Sequence, residues 1–140
     1  MQSSTKSQNA VFLLTRLVVA AIFFYAGYMK FGFWTAPPAG MPPAMVYLTQ
    51  FLSIVEPLGA LAILLGFLTR WAATGLAIIM VGAIIVMQFM MGVGFATPTM
   101  VGWEFPLMIL AGCLVLVVFG GGSWSVDNLQ ASKKTQKVVL

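Results

Sequence analysis

Long apolar runs alternate along this chain with short polar or turn-forming stretches. Four of these runs lie near residues 11–30, 46–69, 72–92 and 104–121, and each is close to the roughly 20 residues that an α-helix needs to cross a bilayer. The connection near residue 70 is very short, so the second and third helices should be antiparallel neighbours. The pattern predicts an all-α fold, an integral membrane four-helix bundle over residues 11–121. Residues 1–10 and 122–140 are expected to be an N-terminal tail and a basic C-terminal tail.

Composition supports a membrane protein and excludes several chemistries. The chain has 140 residues, of which 61% are hydrophobic and 7% are charged, more apolar surface than a soluble domain of this size could bury. The sequence contains no histidine, which excludes histidine-ligated haem and histidine-bound zinc. The single cysteine, Cys113, excludes an internal disulfide and a CxxC redox pair. We therefore expect no metal site, no covalently bound cofactor and no nucleic-acid partner.

The basic residues are distributed unevenly between the two predicted sides of the membrane. One side carries six of them: Arg16, Arg70, Lys6, Lys133, Lys134 and Lys137. The other side carries Lys30 alone. The positive-inside rule then places both termini in the cytoplasm. A cleaved signal peptide is the alternative for the first run, but no A-x-A cleavage site follows it.

Several charged residues lie inside the apolar runs, where charges are costly unless they are paired or hydrated. Arg16 and Lys30 share one face of the first predicted helix, and Ser53, Glu56 and Arg70 share a face of the second. The face of the second helix that carries Glu56 is rich in small and polar residues, whereas the opposite face is rich in leucine. Small residues pack against protein in membranes, so the charged faces should meet inside the bundle.

Two layers of charge are predicted from the depths of these residues. The outer layer comprises Lys30, Glu56 and Glu104, with Gln88 on the polar stripe of the third run. The inner layer is a structural charge network of Arg16, Arg70 and Asp127. One lysine cannot neutralise two carboxylates, so Glu56, expected about 20 Å from the inner end of its helix, is the candidate for handling a proton. Lys30, Glu56, Glu104 and Gln88 are the candidate ligand-binding residues. The alternative is that buried ion pairs only fix which helices pack together.

Three segments carry a resemblance to a known family. They are LLTRLVVAAIFFYAGYMKFG, FLSIVEPLGALAILLGFLTRWAA and GWEFPLMILAGCLVLVVFGGGSWSVD. Together they resemble the DoxX family of membrane proteins over about residues 12–128. The residues that follow the family pattern are Arg16, Gly27, Lys30, Glu56, Gly59, Gly66, Arg70, Glu104, Gly120, Ser125 and Asp127.

The resemblance implies a multi-pass protein of the bacterial inner (plasma) membrane. Relatives in that family include a subunit of a thiosulfate:quinone oxidoreductase, which makes a quinone the candidate cofactor. The lack of a cysteine pair departs from the thiol-redox branch. The leading hypothesis is a subunit associated with a quinone-linked redox complex, which itself has no redox centre and whose status as an enzyme is open. The alternative is a non-catalytic scaffold or accessory subunit. Under either hypothesis, the partners of the protein would be the lipid bilayer and either other subunits of a membrane complex or further copies of this chain.

Overall fold

The computed structural model describes the backbone of residues 2–138 and the side chains of residues 6–133. Its five α-helices are α1 (Gln2–Lys30), α2 (Pro43–Leu65), α3 (Thr69–Ile85), α4 (Glu104–Phe119) and α5 (Val126–Val138). A short 3-10 helix, Phe31–Trp34, follows α1, and a π-helical turn, Val86–Met90, extends α3. No strand occurs within residues 2–138. The tail lysines Lys134 and Lys137 lie outside the described side chains.

Three of these helical segments are long and apolar enough to cross a membrane. They are Lys6–Trp34, Pro43–Leu65 and Thr69–Met90. The fourth apolar helix, α4, has 16 residues and a length of about 24 Å, whereas a typical hydrocarbon core is about 30 Å thick. The predicted all-α membrane fold is confirmed, while a fourth complete span stays a prediction.

The first helix begins earlier and the second helix ends earlier than the apolar pattern indicates. The polar stretch before residue 11 has no proline or glycine, so α1 continues through it to Gln2. Proline is favoured in the first turn of a helix, and α2 begins at Pro43. It ends at Leu65 because Gly66 takes a left-handed conformation, with a φ of 70°, and its N–H bonds back to the last turn.

The C-terminal segment contains a helix where the sequence analysis expects only a basic tail. Ser125 precedes α5, and its hydroxyl oxygen accepts a hydrogen bond of 3.3 Å from the N–H of Asn128. This is the N-cap arrangement that serine favours. Asp127 lies in the first turn, where a negative charge is favourable. These two residues account for a helix in a segment that is otherwise too polar to be recognised by its apolar pattern.

The core lies between the apolar inner faces of the first four helices. Its fully buried members include Phe23, Ala60, Ile63, Ala73, Leu76, Cys113 and Leu116. Gly27 lets α1 approach α2 closely, because a Cβ at this position would overlap the ring of Pro57. Large apolar side chains cover the outer faces of α1 to α4 and are exposed. Such faces are expected to contact lipid or another protein in the membrane.

Candidate functional site

Lys30 and Glu56 form a close ion pair between α1 and α2. The Lys30 Nζ atom donates a hydrogen bond of 2.7 Å to Glu56 Oε2. The Glu56 side chain is 2% exposed, whereas that of Lys30 is 26% exposed. The carboxylate is therefore enclosed by the bundle, while its cationic partner reaches the surface. The same Nζ atom lies 3.4 Å from the carbonyl oxygen of Ala26, one turn earlier in α1.

The 3-10 helix after Lys30 completes this arrangement, which we call the Lys30 cluster (Lys30, Trp34, Ser53 and Glu56). The Trp34 indole Nε1 donates a 3.0 Å hydrogen bond to Ser53 Oγ, and the Ser53 hydroxyl donates to the carbonyl of Gln50. The Gln50 side chain in turn donates to the carbonyl of Phe33. Neither Trp34 nor Gln50 is among the site residues predicted from the sequence. The signal available was the spacing of Gln50, Ser53 and Glu56, which are three residues apart on one helical face.

Glu56 lies nearer the C-terminal end of its helix than expected. It lies nine residues before Leu65, which corresponds to about 14 Å of helix instead of the expected 20 Å. The difference arises because Gly66 ends the helix several residues before the apolar run does.

Arg16, midway along α1, forms a second charged cluster beside the C-terminal end of α2. Its side chain is 2% exposed and donates four hydrogen bonds, all to backbone carbonyl oxygens. Nε and Nη2 donate to the last turn of α2, at Ile63 (2.9 Å) and Leu64 (2.5 Å). Nη1 donates to the segment after α4, at Gly121 (3.2 Å) and Trp124 (2.7 Å). One guanidinium thus joins three segments, and its charge is favourable at the negative end of α2.

Asp127 lies in the same region and also binds backbone groups. Its Oδ1 accepts from the N–H of Leu68 at 2.7 Å, and its Oδ2 accepts from the N–H and hydroxyl of Thr69 at 2.9 Å and 2.8 Å. Burial alone raises the pKa of the Asp127 carboxyl, but the hydrogen bonds from Thr69 and Leu68 and the charge of Arg16 outweigh it and lower the pKa. We call Arg16, Thr69 and Asp127, with the backbone groups that they bind, the Arg16 cluster.

The other predicted site residues lie apart from these two clusters. Glu104 Oε1 accepts a hydrogen bond from the N–H of Gly102, and its Oε2 is buried without a hydrogen-bond partner among the described residues. Glu104 therefore closes its own loop and forms no ion pair with Lys30. Gln88 is exposed on the π-helical turn. Arg70 is exposed, and its guanidinium has no hydrogen bond or ion pair with any described residue.

The cavities of the protein test whether the expected quinone fits at the Lys30 cluster. A lysine ammonium and a carboxylate are suitable partners for a quinone oxygen. However, neither Lys30 nor Glu56 lines any of four cavities that lie in the described part of the chain. An apolar groove of about 320 Å³ lies between α1 and α4, lined by residues from Leu14 to Ile22 and from Phe105 to Gly112. The donor chemistry fits a quinone, whereas none of these four cavities reaches the ion pair.

These features define an all-helical membrane protein with charged residues enclosed between its helices. The chain belongs to the DoxX family, whose family model matches residues 11–89. The match spans Arg16, Lys30, Glu56 and Arg70, so the resemblance stated above is confirmed there; α4 and Asp127 lie outside the matched range. No curated protein and no solved structure matches the chain.

Proposed function

We propose that this DoxX-family chain is a membrane subunit of a quinone-linked redox complex in which Glu56 holds and releases a proton. The observation that carries the proposal is the ion pair of an enclosed carboxylate with a lysine that is 26% exposed. Ionisable groups inside membrane helices mark proton or ligand pathways more often than surface charges do. Lys30 connects the carboxylate to the surface and stabilises its charged form.

The proposal includes a location and a topology. The chain would lie in the bacterial inner membrane with four spans and with both termini in the cytoplasm, where the basic residues of the Arg16 end are favoured. Electrons would come from a partner protein, because sequence and composition provide this chain with no redox centre of its own. The quinone would contact the pair from the exposed side of Lys30, since no cavity among those described leads to Glu56.

The variant Glu56→Gln tests the proton-handling role. The purified protein is titrated with a short-chain quinone, and binding is followed by quenching of tryptophan fluorescence and by the infrared band of a protonated carboxyl group. The expected result is a quinone-dependent carboxyl band in the native protein that Glu56→Gln lacks. Ser53→Ala is the matched control, because it removes the hydrogen bond from Trp34 one turn away and retains the carboxyl group. A band that persists in Glu56→Gln would contradict the proposal.

A second candidate function is a scaffold or accessory subunit that binds no small molecule. Two observations favour it: the ion pair has no adjoining cavity among those described, and the outer faces of the helices carry many exposed large apolar side chains. Purification in a mild detergent separates the two candidates. Co-purification of a quinone with the native protein supports the first candidate. A stoichiometric partner protein without quinone supports the second.

A further inference from the structure

An open cavity of about 590 Å³ lies at the Arg16 end of the bundle. Its walls come from the start of α1, the turn between α2 and α3, and the glycine-rich segment between α4 and α5. The volume falls within the range of roughly 300–1,000 Å³ that is typical of small-molecule sites. Neither proposed function uses this cavity.

The polar part of the cavity contains a cation without a partner. Arg70 lines the wall and is exposed, and no described residue accepts a hydrogen bond from its guanidinium. Asp127 also lines the cavity, but both of its oxygens already accept hydrogen bonds, from Leu68 and from Thr69, the first residue of α3. The buried Arg16 lies behind the same wall and offsets the charge of Asp127. The net charge facing the cavity is therefore positive, and Arg70 carries it.

The back wall of the cavity is fixed by backbone geometry. The N–H of Ser123 donates a 3.0 Å hydrogen bond to Asn9 Oδ1, which ties the glycine-rich segment to α1. Gly122 has a φ of 75°, and a Cβ there would lie 3.1 Å from the side chain of Phe12. Gly121 is equally close to its neighbours, because a Cβ there would lie 2.9 Å from Thr69 Oγ1. The shape is thus set before any ligand arrives.

The rim of the cavity is apolar and faces away from the bundle. Phe12 and Phe119 lie with their ring centroids 5.8 Å apart, and Phe119, Trp71 and Leu68 are all exposed. Polar groups also line the cavity, among them the side-chain amide of Gln8, which is without a hydrogen-bond partner in the described residues. A small inorganic ion would leave the apolar rim in water, whereas an amphiphile would cover both the polar and the apolar parts.

We propose that this cavity binds the headgroup of an anionic phospholipid. Arg70 donates to the phosphate oxygens, since a guanidinium matches phosphate geometry with two parallel hydrogen bonds. Gln8 donates a further hydrogen bond, and the ring of Trp71 covers the glycerol and the first acyl carbons. The site lies where the long apolar helices give way to the polar start of α1 and to α5, which is the depth of lipid headgroups. The inference is independent of the proposed function.

Native mass spectrometry of the full-length protein in a neutral detergent tests this site. Phosphatidylglycerol, phosphatidylcholine and inorganic phosphate are titrated separately. Phosphatidylglycerol should bind about tenfold more tightly than phosphatidylcholine, because both lipids offer a phosphate to Arg70 but phosphatidylcholine also brings a choline cation to a cavity that already faces a positive charge. Arg70→Gln should remove most of this preference, and Arg70→Lys should retain part of it. Lys6→Gln is the matched control, because it removes one positive charge from the same end outside the cavity lining.

Three results would overturn the proposal. An unchanged preference in Arg70→Gln would show that Arg70 does not bind the headgroup. An equal loss in Lys6→Gln would show diffuse attraction by surface charge. Binding of inorganic phosphate as tight as that of phosphatidylglycerol would make the site one for free phosphate. Because the Arg70 guanidinium has no partner among the described residues, Arg70→Gln should have the same unfolding temperature as the native protein. Thermal unfolding of the same samples checks this.

Discussion

The two charged clusters satisfy their charges in different ways. Arg16 donates to four backbone carbonyl oxygens, and Asp127 accepts from two backbone N–H groups and one hydroxyl. Lys30 and Glu56, by contrast, form an ion pair with each other, and Lys30 is partly exposed. A charge held by backbone groups from several segments cannot move without breaking the fold. A charge held by one flexible lysine can change its protonation or its partner while the backbone stays in place.

The comparison separates a structural role from a functional one. The Arg16 cluster joins α1, the end of α2 and the segment before α5. It therefore acts as a clamp, meaning a set of contacts that holds these three segments together. The Lys30 cluster joins two helices that also pack through Gly27 and Pro57. We therefore expect substitutions in the first cluster to lower stability and substitutions in the second to alter chemistry at smaller cost.

The largest loss of stability is expected for Arg16→Met. The variant fills a similar volume but removes the Arg16 donor from four carbonyl oxygens, of which that of Ile63 keeps the N–H of Gly66. Each buried orphaned group costs about 1–3 kcal/mol. The total should reach about 3 kcal/mol or more, enough to prevent folding of a marginally stable chain. Arg16→Lys should be intermediate, because an ammonium cannot reproduce the fork of the guanidinium. The yield of monodisperse protein and its thermal unfolding in detergent measure the effect, and a native unfolding temperature in Arg16→Met would refute the clamp.

The next largest effect is expected for Gly66→Ala, which acts on the same cluster through the backbone. A left-handed conformation costs a residue with a Cβ about 1–2 kcal/mol. The new Cβ would also lie 2.5 Å from the Cβ of Ser125 and 2.9 Å from Arg16 Nη2. Together these should lower the free energy of unfolding by about 2–4 kcal/mol. Gly82→Ala is the control, since a Cβ there meets nothing within 4 Å and alanine favours the helix. Equal unfolding temperatures for the two variants would contradict the assignment.

A smaller effect, with a distinct pH dependence, is expected for Asp127→Asn. The pKa of Asp127 is lower in the folded protein than in the unfolded chain. Its contribution to stability is therefore complete above the unfolded pKa of about 3.9, and is lost as the pH falls through the lower folded pKa. Asp127→Asn should lose about 1–2 kcal/mol at pH 7 and should lack this part of the acid-induced loss. Unfolding temperatures measured from pH 7 to pH 3 test this, and an acid-induced loss as large in Asp127→Asn as in the native protein would contradict it.

Helical periodicity predicts which residues share a face, and in the case of Lys30 and Glu56 it also predicts the partners. Lys30 and Glu56 lie on the charged faces of the first two runs, and the structure brings them together. The all-α membrane fold follows from the lengths of the apolar runs in the same way. These features depend on properties that repeat along the chain, so a single sequence is sufficient to find them.

Contacts that depend on the path of a loop could not be predicted in this way. Arg16 and Asp127 lie in the same region, as expected, but each binds backbone groups of turns whose conformation is not periodic. Glu104 bonds within its own loop, where Trp103 packs edge-to-face on Phe95 with ring centroids 4.7 Å apart. The left-handed turn at Gly66 ends α2 early, which leaves Glu56 closer to the end of its helix than the apolar run predicts. Composition reports that glycines are present but does not report which of them ends a helix.

The smallest effect on stability is expected at the Lys30 cluster, and a double-mutant cycle measures it. Lys30→Met, Glu56→Gln and the double variant should give a coupling energy of about 1 kcal/mol, because polar contacts between membrane helices average about 0.6 kcal/mol and reach about 1.7 kcal/mol. A lysine that is 26% exposed can also turn outward when its partner is lost. A coupling as large as the Arg16→Met effect would mean that the pair is itself a clamp, and the distinction between the two clusters would fail. A small coupling, combined with loss of the carboxyl infrared signal in Glu56→Gln, would favour proton exchange at this pair over a purely structural role.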